Sequence, residues 1–179
     1  MKNISPEHIE KFFRRLAAGF TKRPNDIGVD LEYVDGDVSM TLRPSGADVG
    51  ALIGSSGIMH LSLRCILTAY AARGELGFHL SPIIEPKDRT PLPDNGTMQM
   101  SIEQIGELFT ETCAGLFGKV HAWSWEHDDR RSNICLIISK NEARKVSDAQ
   151  LGESLSRIFN AIGHCNCRKI YVLLERAKS

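Results

Sequence analysis

Val49-Gly50-Ala51-Leu52-Ile53-Gly54-Ser55-Ser56-Gly57-Ile58-Met59-His60-Leu61-Ser62-Leu63-Arg64 is the most informative stretch of this chain. Two glycines bracket a pair of serines, and an apolar run lies on either side. Glycine accepts the left-handed backbone values that a tight reversal needs, and without a Cβ it lets another backbone come close. After the second glycine, Met59, Leu63, Ile66, Leu67 and Tyr70 recur at steps of three and four, the spacing of one helix face, and Gly74 is placed to end it. The pattern predicts a short helix over 49–53, a turn, and a long helix.

Upstream, Ser5 is an N-cap candidate and Pro6 suits the first helical position, ahead of Ile9, Phe12, Phe13, Leu16 and Phe20 on one face. Two strands follow. Val29, Leu31 and Tyr33 alternate with Asp30 and Glu32, Asp35-Gly36 has hairpin-turn chemistry, and Val38, Met40 and Leu42 alternate on the return. A last strand is expected over about 78–84. The order is helix, strand, strand, helix, helix, strand: an α+β unit with helices on one face of a three-stranded sheet.

Residues 82–100 hold four prolines and an Asn-Gly pair, which disfavour continuous helix or strand. The expected division is a first domain at 1–86, a linker at 87–100 and a second domain at 101–179. That second part repeats the order. Ser101 and Gln104 form a capping-box signature before Ile105, Leu108, Phe109, Leu116 and Phe117; strands are expected over 119–125 and 133–139; a second capping box opens a helix at Ser147; and a strand is expected over 170–174. Leu151, Leu155, Ile158, Phe159 and Ile162 reproduce the stripe of the first long helix at a constant shift of 92, which reads as an internal duplication.

The segment 49–64, with isoleucine before the first glycine and this element order around it, resembles the I-G-x-x-G segment of KH domains in their type II arrangement. It is most like the small bacterial KH proteins and the KH part of the Jag family. The resemblance covers about 25–84 well, and only the topology carries over to 101–176. It implies a bacterial, RNA-binding protein in which Gly54 and Gly57 give a nucleic-acid backbone access and Ser55 and Ser56 contact phosphate or sugar. Val49, Leu52, Ile53, Ile58 and Leu61 would then line a groove for about four unpaired nucleotides. Arg43 and Arg64 are the nearest cations and are expected on the same side as the turn; Lys22 and Arg23 read as solvated charge.

KH loops that bind well commonly carry Lys or Arg where this chain has Ser55, Ser56 and Ile58. Hydroxyls hydrogen-bond phosphate but release no condensed counterion, so binding is expected to be weak. The chain has 22 basic and 22 acidic residues. Each half is near neutral, so no broad field attracts nucleic acid and any RNA site is local. The stretch 140–151 has no glycine pair, which predicts a degenerate second unit that supports the first; Lys140, Arg144 and Lys145 read as solvated loop or as an added phosphate contact. The alternative is a KH-derived interaction or scaffold module that has lost RNA binding and holds a protein partner or a second copy of itself.

Other constellations carry less. In His164-Cys165-Asn166-Cys167 the Cys-x-Cys spacing is not that of paired zinc knuckles, and no metal or other cofactor is expected. Five cysteines without a framework spacing suggest reduced thiols. Trp123, Trp125 and His121 share a strand face and read as packing, with base stacking the sharper option. Asp128 and Asp129 read as turn residues. With no nucleophile, metal cluster or phosphate loop, no catalytic residue and no enzyme activity is expected. No signal-peptide pattern or long apolar run is evident, so a cytoplasmic protein without membrane attachment is expected.

Overall fold

The computed structural model describes residues 4–81, 83, 100–117, 120–127, 131–138, 147–166 and 169–176, with side chains in 120–127, 131–138 and 173–176 excepted. The first half runs α1 (Pro6–Ala18), β1 (Gly28–Val34), β2 (Asp37–Arg43), α2 (Val49–Ile53), α3 (Ile58–Ala72) and β3 (Gly77–Leu80). The second runs α4 (Ile102–Phe117), β4 (Val120–His127), β5 (Arg131–Ile138), α5 (Asp148–Cys165) and β6 (Lys169–Arg176). The fold is α+β with two mixed three-stranded sheets, ordered β1-β2-β3 and β4-β5-β6. In each sheet the first pair of strands is antiparallel and the second parallel.

Local chemistry sets these elements. The Ser5 N–H donates to His8 Nδ1 (3.2 Å), closing a capping box in which histidine takes the usual glutamate place. Asp35 and Gly36 both have positive φ (52° and 86°), the two-residue turn whose twist suits a hairpin, and Val34 pairs with Asp37 beyond it. On β2 the alternation is strict: Val38, Met40 and Leu42 are buried, and Arg43 falls on the other face.

The buried side chains of both halves join in one core, from Ile9, Phe13 and Leu16 through Leu63, Ile66 and Leu67 to Phe109, Leu155, Phe159 and Ile170. The two long helices, α3 and α5, pack against each other, each also covering its own sheet's last strand. Phe12 and Tyr70, expected on apolar faces, are only partly buried, and they stack with ring centroids 4.2 Å apart. The last strand of the first half is shorter than expected, ending at Leu80, with the Ser81 N–H beyond it still donating to the Met40 carbonyl (2.9 Å). The expected linker lies almost wholly outside the described residues. Val49–Ala72 is long and apolar enough by composition to cross a membrane (mean hydropathy 1.3). It is two helices joined by a turn, however, and Met59, Leu63, Ile66 and Leu67 are in the core.

Candidate nucleic-acid interface

The turn between α2 and α3 is built from three left-handed residues. Gly54 has φ 71° and ψ 179°, Ser56 φ 52° and ψ 29°, and Gly57 φ 77° and ψ 7°. The two glycines answer different needs. A Cβ on Gly54 would lie 2.7 Å from Met59 Cβ and 2.9 Å from Met59 N, so its bare side faces inward, against the first turn of α3. A Cβ on Gly57 would meet nothing within 4 Å. Open access to the turn is therefore at Gly57, with Ser55 and Ser56 exposed beside it. The Ile58 N–H is taken by the Ser55 carbonyl, so the first amide of α3 is spent on closing the turn.

From Gly57 an exposed stripe runs along α3. Ile58 is 39% and Leu61 47% exposed, and Arg64, one further turn on, is exposed and has no ion-pair partner among the described residues. Val49 and Ile53 are half-buried at the other side of the turn. Leu52 is not part of this surface: it is fully buried, because α2 is only five residues long and turns that one side chain into the core. Nor does Arg43 join the turn. Strand alternation sends it to the outer face of the sheet, away from the helices, where its Nε donates to Asp30 Oδ2 at 2.6 Å. Of the two arginines expected near the turn, the structure puts Arg64 on α3 beside the apolar pair and occupies Arg43 elsewhere.

A residue the sequence did not single out positions the whole site. Asp48 precedes α2 and is completely buried. Its carboxylate accepts the Lys22 N–H (2.6 Å), the Arg23 N–H (3.0 Å) and the Ser45 hydroxyl (3.2 Å). It thus ties the chain leaving α1 to the start of α2. An aspartate just ahead of a helix signals an N-cap, yet here it makes no side-chain bond to its own helix, and its two main-chain partners lie some two dozen residues upstream. The main chain of Lys22 and Arg23, read as surface charge, is therefore held at the start of α2. At the far side, His60 Nε2 contacts the Ser81 carbonyl at 3.0 Å and fixes the first turn of α3 to the end of β3.

The corresponding start of α5 differs. At a shift of 92, Ser147, Asp148 and Ala149 stand where the first half has Ser55, Ser56 and Gly57. Ser147 is extended (φ −69°, ψ 150°) and accepts the Gln150 N–H, a plain capped helix start. Lys140, Arg144 and Lys145 lie outside the described residues, as do Asp128, Asp129 and Cys167 and the side chains of His121, Trp123 and Trp125.

Burial pushes the Cys113 thiol up to about 12 and raises those of Cys65 and Cys165. A thiol so shifted holds its proton at neutral pH and is a poor nucleophile. In His164-Cys165-Asn166, the Cys165 thiol meets the Phe20 carbonyl (3.8 Å) and Asn166 Oδ1 accepts the Met100 N–H (2.6 Å). Among the described residues no group of three His, Cys, Asp or Glu is placed to hold a metal. No protein-family model matches the chain, and no curated protein matches it in sequence.

Proposed function

We propose that the chain is a two-unit, KH-like cytoplasmic protein whose first unit binds single-stranded RNA weakly, with the second unit as its support. One observation carries the reading: an exposed left-handed Gly54-Ser55-Ser56-Gly57 turn opens directly onto Ile58, Leu61 and Arg64 on one helix. Main chain and hydroxyls at the turn would receive phosphate, the apolar pair would receive base faces, and Arg64 would add one cation. No bond is made or broken in this reading.

Arg64 is the cation of this exposed stripe, so its contribution should make affinity fall only shallowly with salt, with a logarithmic slope of about −0.7 for one phosphate contact to a single strand. The test is fluorescence titration of short single-stranded RNAs at several salt concentrations, against the Ser55→Asp/Ser56→Asp variant. Aspartate tolerates left-handed backbone, so folding should persist by circular dichroism while affinity drops at least about tenfold, or about 1.4 kcal/mol. Unchanged binding would refute the site. The exposure of Ile58 and Leu61 on a chain without net charge favours one second reading, a protein-docking module. No RNA binding by the unaltered chain at any salt would leave that reading standing.

A further inference from the structure

The first helices of the two halves match at a shift of their own. Ser5, Glu7, Ile9, Phe13, Ala18 and Gly19 stand over Ser101, Glu103, Ile105, Phe109, Ala114 and Gly115, 96 residues apart. Their starts are built alike: Ser5 N–H donates to His8 Nδ1 and Ser101 N–H to Gln104 Oε1, while each serine hydroxyl donates to the glutamate two residues on. With 96 for the first helices and 92 for the long ones, each position on these helices in one half has a counterpart in the other.

Contacts between the halves then fall into matched pairs. A Cβ on Gly115 of α4 would lie 3.0 Å from Tyr70 of α3; a Cβ on Gly19, after α1, would lie 2.8 Å from Ile162 of α5. Gly115 corresponds to Gly19, and Tyr70 to Ile162, so this is one contact made twice with the halves exchanged. Arg73 donates to the Ala114 and Gly115 carbonyls (2.7 and 2.5 Å). Cys165, its counterpart, meets the Phe20 carbonyl, one residue beyond Gly19. Arg15 pairs with Glu111, and these two are each other's counterparts, as a contact on the axis must be. In a twofold interface, whatever residue i of one subunit does to residue j of the other, j does in return to i.

We infer that the two halves are related by a pseudo-twofold axis and meet through a subunit interface contained within one chain. The face of the first half around Arg15, Gly19, Tyr70 and Arg73 is an interaction surface, and the partner it fits is a second unit of the same plan, which residues 101–176 supply in cis. That face is filled, so the chain needs no other copy there. The inference stands on these contacts alone and is independent of RNA binding.

The test uses the full chain. Arg15 and Glu111 are about half exposed, so the Arg15→Cys/Glu111→Cys variant should fold. A short bis-maleimide cross-linker, followed by peptide mass mapping, should join the peptide containing position 15 to that containing position 111 in species of single-chain mass, and neither single variant should give this product. A folded double variant without the linked peptide would overturn the arrangement. So would the linked peptide found only in covalent dimers: in that case the matched faces meet between molecules.

Discussion

Replacing each turn glycine with alanine should separate the two roles that one motif conceals. Gly57 (φ 77°, ψ 7°) lies in the ordinary left-handed region with open space where a Cβ would go. Gly57→Ala should therefore cost about 1 kcal/mol for the backbone, partly offset because alanine also restricts the unfolded chain. Gly54 has φ 71° with ψ 179°, a combination that is essentially glycine-only and costs another residue about 1–3 kcal/mol. Its new Cβ would also stand 2.7 Å from Met59 Cβ and 2.9 Å from Met59 N, and relieving such overpacking costs about 1–3 kcal/mol. The expected loss for Gly54→Ala is thus roughly 2–6 kcal/mol, at least about twice that for Gly57→Ala. Urea denaturation followed by circular dichroism, at constant m-value, reads both numbers. If the two variants lie within about 0.5 kcal/mol of each other, the different burial of the two glycines is refuted.

Asp48→Ala should cost about 2–5 kcal/mol in the same assay, because two main-chain donors and a hydroxyl lose a buried charged acceptor; a loss under about 0.5 kcal/mol would show that the bonds of Asp48 do not hold α2. Among the described cysteines, native-state labelling by a maleimide should be slowest at Cys113, which is 1% exposed. Its thiol rises from 9.0 to about 12 on folding, so it contributes stability that is fully present below pH 9 and is lost as pH climbs toward 12. Replacing it with alanine should flatten the alkaline decline of the unfolding midpoint between those limits; an identical decline in the variant would assign it to other groups.

Elements governed by local spacing were legible. The stripe of α3, the strict alternation of β2, the Asp35-Gly36 hairpin and the Ser147 capping box each depend on neighbours within a few residues, so the pattern alone locates them. The departure of Arg43 from the site was legible too: if Val38, Met40 and Leu42 face the core, the residue after Leu42 faces away. Leu52 was not, because a five-residue helix has too few turns to declare a face. Asp48 was hidden for another reason, as two of its three partners are donors of the main chain, which every residue but proline carries and no side-chain pattern marks. The approach of Tyr70 to Gly115 joins residues far apart in sequence, and only the packed structure brings them together.

The seam between the halves has a consequence for how such a protein can change. In a symmetric dimer encoded by a single unit, any substitution appears on both sides of the axis at once and must suit both. Here Tyr70 is free to stack on Phe12 while its counterpart is the smaller Ile162, and Arg73 reaches two carbonyls while its counterpart is Cys165. Covalent joining releases the two sides from identity. One turn can then keep its glycines while the other becomes a simple helix cap, a difference closed to two identical chains.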